Sequence, residues 1–303
     1  GGAELQALEA ALGEAEWPVT WLTDCGTADQ AGVHVWAAVG LETQPLRLKG
    51  RVVGTFYEDE YARYCRVGGV VPQTLSVSRE DQAREVFRAL DAALASAGMG
   101  FSDVIRTWFY NHNILDWYSG FNQVRDAFFR EKDLFGRLVP ASTGIGGANP
   151  AGAALQAGFL ALQRKSEAVR MFAVPSPLQC PALDYGSSFS RAAEFDMPDH
   201  RRLFVSGTAS IEPGGKTAHL DDMDGQVRLT MAVVAAILES RGMTWNDLVH
   251  CLVYVRNADE AGAFRRFCQA EGLSNLPAIV ANNVVCRDDL LFEVEGMAIA
   301  RPE

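Results

Sequence analysis

The sequence predicts an α+β protein made of two tandem copies of one unit behind an N-terminal extension. Three observations carry that expectation. Residues 92–110 and 235–254 match at a constant spacing, Gly98 with Gly242 and Tyr110 with Tyr254 both lying 144 apart. The same spacing pairs Gln82 with Gln226, and after a seven-residue gap Pro140 pairs with Pro277 (277 − 140 = 144 − 7). Strand and helix patterns then follow in the same order in each copy, which suits an α+β unit; a period this long is no solenoid.

The elements are justified in chain order. Residues 1–48 form the extension: a helical stretch in GGAELQALEA, then GVHVWAAVGL, whose β-branched and aromatic residues between glycines predict a strand. The first copy spans 49–165. RLKGRVVGTF is strand-like. The helix from Ser78 opens on a hydroxyl cap with acids in its first turn and closes at Gly98. DVIRTWFYNH predicts a strand, WYSGFNQVRDAFFREKD a second helix, and LVPASTGIGGANPAGAALQAGFLALQ a glycine-rich loop and a last strand. Residues 166–188 read as a linker, because Pro175, Pro177 and, close by, Pro181 deny ladder hydrogen bonds. The second copy, 189–303, repeats the order: RRLFVSGTASI, the Gln226 helix, DLVHCLVYV, DEAGAFRRFCQAEG and LLFEVEGMAIA.

Composition narrows the function. A formal charge of −11 over 303 residues speaks against nucleic acid or an anionic membrane as partner. An anionic ligand would need a local arginine cluster. No apolar run approaches the ~18 residues of a membrane span, and the first ten residues show no signal-peptide pattern. The six cysteines lack CxxC spacing and the five histidines lack HxH or HExxH spacing, so reduced thiols, a cytoplasmic setting and no metal or cofactor are expected.

The copies differ where chemistry is expected. Sixteen residues past each paired proline one copy has Gln156 and the other Glu293, an amide against an acid. Strand alternation puts Glu293 and Glu295 on one face, opposite Phe292 and Val294. Glu295 is expected to be a plain surface carboxylate rather than a neighbour tuning Glu293.

VSGTASI, the Gln226 helix, the strand ending VYV and FEVEGMAIA resemble the Rid/YjgF fold, the chorismate mutase-like barrel unit. RTWFYNHNILDWYSGFNQVRDAFF, LVPASTGIGG, DYGSSFSRA, VSGTASI and VCRDDLLFEVE more specifically resemble the chorismatases, in the family's order over about two-thirds of the chain. The resemblance implies cleavage of the enolpyruvyl ether of chorismate to pyruvate, with 3-hydroxybenzoate or a dihydroxy-cyclohexadiene carboxylate as the other product, and no cofactor. Glu293 would be the general acid, its pKa raised by desolvation. Two substrate carboxylates call for guanidinium partners, for which Arg106, Arg125, Arg191 and Arg287 stand available, with a strand-face ion pair to a nearby acid as the structural alternative for Arg106 and pairing with Asp288 or Asp289 for Arg287. Gly144 and Gly146 would let backbone N–H groups approach a carboxylate, while Tyr185 and Ser187 offer hydroxyls to the ring oxygens. Chorismatases that make 3-hydroxybenzoate resemble this chain in carrying a cysteine at Cys286; by itself, Cys286 reads as a small buried hydrophobe. Trp117 or Tyr118 is placed to wall the cleft.

Two other classes compete. Short Rid proteins are imine deaminases that grip a carboxylate with an arginine soon after the opening proline; neither Pro140 nor Pro277 has one. A non-catalytic metabolite-binding module is the third. The site is expected between the copies, and a duplicated chain can build it internally, so a monomer is favoured over a trimer.

Overall fold

The computed structural model describes residues 10–11, 16–23 and 32–302. The two units are two six-stranded sheets of identical wiring. The first holds β1 (Thr43–Leu48), β2 (Arg51–Glu58), β3 (Ala62–Val70), β4 (Val104–Asn111), β5 (Ala141–Gly146) and β6 (Leu155–Arg164) in the order β1-β2-β3-β6-β4-β5. The second holds β7 (Arg170–Val174), β8 (Ala192–Asp196), β9 (Arg201–Ala209), β10 (Leu248–Val255), β11 (Ala278–Asn282) and β12 (Phe292–Ala300) in the order β7-β8-β9-β12-β10-β11. In each sheet one pair is parallel, β4 with β5 and β10 with β11, and the rest are antiparallel.

Helices α1 (Arg79–Ser96) and α2 (Tyr118–Glu131) cover one face of the first sheet; α3 (Met223–Glu239) and α4 (Ala261–Ala270) cover one face of the second. Ser78 caps α1 by accepting from the Asp81 amide, as the sequence predicts. The other two sheet faces meet through Tyr64, Tyr110, Ile145, Leu160, Phe204, Tyr254 and Met297, giving helix, sheet, sheet, helix. The central strands therefore bury both faces, which explains why β4 is buried throughout and has no solvent side.

The repeated glutamines do the same job twice. Gln82 donates to Leu75 and Val77 carbonyls and accepts from the Ala154 amide before β6. Gln226 donates to His219 and Asp289 carbonyls and accepts from the Leu291 amide before β12. Each buried amide satisfies backbone groups that water cannot reach.

Three local expectations change. The proline-bearing stretch expected as a linker contributes β7, which pairs with β8, because the prolines lie beyond Val174 and leave the ladder free. The glycine-rich stretch expected as a loop is β5; its glycines permit close approach, and an added Cβ at Gly146 would meet the Val284 carbonyl 2.7 Å away. GVHVWAAVGL has no ladder pairing over 32–39, while β1, also within the expected extension, takes the sheet edge. The helical stretch expected at the N-terminus lies outside the described residues except for 10–11, as does Cys25.

Replacing Gln226 with leucine should destabilise the protein by about 2–3 kcal/mol, since it strands three buried backbone groups. A urea titration of the Gln226→Leu variant checks this.

Candidate active site

β5 and β9 meet at the seam between the sheets. The Ser142 amide donates to Ser206 Oγ at 2.9 Å, and the Gly207 amide donates to Thr143 Oγ1 at 3.0 Å. The Ser190 amide donates to the Pro140 carbonyl at 3.0 Å. Beside this seam lies a pocket with an empty volume of about 540 Å³, walled by both units. Tyr118 and Arg125 come from α2, Ser142 and Gly144 from β5. Tyr185, Ser187, Phe189 and Arg191 come from the segment before β8. Gly207 and Ala209 end β9, Cys286, Arg287 and Leu290 precede β12, and Glu293 stands within it. A concave wall drawn from both units, with polar groups converging on it, fits a small-molecule ligand.

Glu293 faces Ala209 and Tyr254 in register and is 4% exposed. Its carboxyl rests over Gly207, where any Cβ would overlap Oε1. Among the described residues it has no hydrogen-bond donor of its own, so burial acts on it undiminished. Burial first, and the neighbouring Glu295 charge second, push its pKa up to about 8, with Arg106 opposing. At neutral pH the group is mostly a protonated acid facing a cavity.

The arginines give the pocket its charge. Arg125 and Arg191 are 1% and 4% exposed, yet among the described residues neither pairs with a carboxylate. Arg125 donates to Asn122 Oδ1 at 2.9 Å, and Arg191 donates through Nε to the Cys180 carbonyl at 3.0 Å. Arg125 Nε and Arg191 Nη2 are buried without partners. Arg191 also lies over the rings of Tyr185 and Phe189, at 5.4 and 5.6 Å. Arg287 donates to the Gly215 carbonyl at 2.8 Å and stacks on Tyr185; it pairs with neither Asp288 nor Asp289, whose side chain takes the Thr217 hydroxyl. Three guanidinium groups without counterions among the described residues, in a chain of net charge −11, make a local anion trap.

Cys286 is part of the wall beside Tyr118, and burial with the adjacent Glu293 pushes its thiol up to about 12. It is a neutral thiol at physiological pH, unsuited to nucleophilic attack. Tyr118 reaches Gly144 with its hydroxyl 3.6 Å from where a Cβ would stand, while Trp117 is committed to the core and donates to the His112 carbonyl.

Of the expected site residues, Glu293, Cys286, Arg125, Arg191, Arg287, Tyr185, Ser187 and Gly144 line this one pocket. Gly146 does not; it packs against Val284, donating its amide to that carbonyl at 2.7 Å. Arg106 does not either. It donates to Glu295 at 2.7 Å, and Trp108 Nε1 donates to the other Glu295 oxygen at 3.0 Å. Glu295 is thus no surface carboxylate: at 1% exposure it is held between the sheets by a cation and an indole. Strand alternation gave its face correctly, but the second sheet covers that face. Gly207 escaped sequence reasoning, although a glycine inside the strand pattern of VSGTASI is a sign of close approach.

The family model for Endoribonuclease L-PSP matches residues 64–167 and 186–300, one match in each unit. The chain belongs to this family. Two curated chorismatases resemble it: one from Streptomyces hygroscopicus is 29% identical over 66% of this chain and 62% of its own length. The other, from Streptomyces rapamycinicus, is 31% identical over 66% of this chain and 65% of its own. A 3-hydroxybenzoate synthase from Streptomyces hygroscopicus is 29% identical over 66% of this chain and 64% of its own. The chain thus spans under two-thirds of these relatives in the matched region. A chorismatase crystal structure superposes with a TM-score of 0.63 at 25% identity, covering 81% of this chain and 77% of that one. The duplicated Rid/YjgF-like α+β fold is therefore shared with a chorismatase.

The Glu293 carboxyl has a folded pKa above its ordinary 4.5, so its contribution to stability is whole below that value and is lost as pH rises through about 8. Glu293→Gln removes this liability. Its melting temperature should exceed that of the parent by a few degrees at pH 8.5, roughly 2–6 °C, and match it at pH 4. Calorimetry at the two pH values decides the matter.

Proposed function

We propose that this protein is a chorismatase, with Glu293 as general acid and Arg125, Arg191 and Arg287 as the partners of the two substrate carboxylates. The observation that carries the reading is a neutral, buried carboxyl in the same cavity as three guanidinium groups that no carboxylate among the described residues neutralises. The named relatives and the 0.63 TM-score likeness support it independently.

The chemistry follows from the enol ether. Glu293 delivers its proton to the terminal methylene carbon, and the ether oxygen's lone pair fills in behind, giving an oxocarbenium ion. Water adds to the carbon that bears the ether oxygen and returns a proton to the Glu293 carboxylate. The resulting hemiketal breaks its bond to the ring oxygen, which takes up a proton, and pyruvate leaves. One water is consumed and a dihydroxy-cyclohexadiene carboxylate remains; loss of a water from that ring gives a hydroxybenzoate. A group with pKa near working pH suits this proton transfer in both directions. Tyr185 and Ser187 stand in the wall to meet ring hydroxyls. No protein nucleophile, metal or organic cofactor has a part in these steps.

For the ring product we infer 3-hydroxybenzoate. Cys286 stands in the pocket wall as a neutral thiol, and one similar protein is a 3-hydroxybenzoate synthase. We place the protein in the cytoplasm as a monomer acting on a small molecule. The five cysteines among the described residues are free thiols (Cys65, Cys180, Cys251, Cys268 and Cys286) and support the first, and a pocket walled by both units of one chain supports the second. No helix among the described residues is long and apolar enough to cross a membrane.

Incubation with chorismate should release pyruvate, read by a coupled lactate dehydrogenase assay. Glu293→Gln should lower kcat by roughly 10²–10⁴, and parent activity should fall as pH rises through about 8, because the acid must hold its proton. Ligand binding without pyruvate would instead favour a metabolite-binding module, and ammonia from an imino acid a deaminase. Cys286→Ala should retain pyruvate release but move the ring product from 3-hydroxybenzoate towards the diol, measured by chromatography.

A further inference from the structure

A second cavity is lined by the Arg106–Glu295 pair, which the Glu293 pocket does not touch. Its empty volume is about 250 Å³, and its walls include Arg66, Arg106, Trp108, His250 and Glu295, with His34 and Trp36 of the segment before β1. No step of the proposed reaction uses it, and its empty space is about half that beside Glu293, 250 against 540 Å³.

Its charge is unbalanced. Arg106 spends Nη2 on Glu295 and Thr143, leaving Nη1 buried with no partner at 2% exposure of the residue. Arg66 Nη1 is also buried without a partner, while the guanidinium is stacked 4.4 Å from the Trp108 ring centroid and 5.1 Å from that of Trp36. Glu295 is the one carboxylate in the walls and is already shared between Arg106 and Trp108. The His34 and His250 rings lie 3.8 Å apart, and burial with the arginines holds both near pKa 4, so neither adds charge at neutral pH. Two cations against one anion leave one positive charge enclosed by aromatic walls. An enclosed charge of this kind is costly unless it is paired.

We propose that this cavity is a second binding site, taking one small monovalent anion of halide or formate size between Arg66 Nη1 and Arg106 Nη1. The anion would complete the donors that the protein leaves open. It would also couple to the first pocket, because the Arg106 charge is felt at Glu293 and lowers its pKa. An anion against Arg106 offsets that field, so its binding raises the Glu293 pKa; this second effect rests on the proposed role of Glu293, whereas binding itself does not.

Bromide is the probe. Crystals of the full chain soaked in sodium bromide should show an anomalous peak between the two guanidinium groups. In solution, bromide should change tryptophan fluorescence saturably at millimolar concentration, through Trp36 and Trp108, and formate should compete. Arg66→Gln should abolish the saturable phase while leaving the thermal unfolding transition cooperative. An empty cavity in soaked crystals, or linear quenching identical in parent and Arg66→Gln, overturns the site. If the site is filled, the alkaline limb of pyruvate release should stand higher in bromide than in a bulky-anion buffer by on the order of half a pH unit. A limb unmoved by bromide, with the site shown to be filled, overturns the coupling alone.

Discussion

The ion pair between Arg106 on β4 and Glu295 on β12 sets the charge pattern of the whole interface between the sheets. Both groups are removed from water, and each is tolerable only because the other is there. Once Arg106 is engaged, Glu293, two residues away on the same face of β12, is left without a cation of its own. With a charged neighbour and no donor, that carboxyl keeps its proton. A neutral acid and a charged one can thus share a strand face because one of them holds the available guanidinium.

Duplication supplied the scaffold, and divergence at a few matched positions supplied the asymmetry. Tyr110 faces Gln156 in β6 as Tyr254 faces Glu293 in β12. The amide in the first copy carries no titratable proton. Arg106 corresponds to His250 (250 − 106 = 144), and the two meet in the second cavity, one charged and the other neutral. One framework therefore carries an acid-bearing pocket apart from the buried pair and a cation-rich cavity lined by it. The glutamines Gln82 and Gln226 did not diverge, because both must satisfy backbone groups ahead of the last strand.

The pocket itself depends on segments with little regular structure. Tyr185, Ser187 and Arg191 lie in the proline-rich connection, and Cys286 and Arg287 in the turn before β12. Rigid strands fix Glu293 and Gly207; the connections bring the cations to them. This division is usual where loops bear ligands on a fixed scaffold.

The sequence alone determined the duplication, the α+β class and the helix limits, because these rest on local periodicity, caps and matched spacing, which need no knowledge of distant contacts. It also singled out Glu293, since an acid facing an amide across a repeat is visible as text, and most of the residues around it through resemblance. Tertiary structure decided what each charge does. Whether Glu295 meets water or Arg106, whether Arg287 takes an aspartate or stays open, and whether Arg106 faces one cavity or the other depend on which surfaces the two sheets cover. Those are contacts between residues as far apart as 106 and 295, and desolvation, the force behind the pKa of Glu293, exists only once they form.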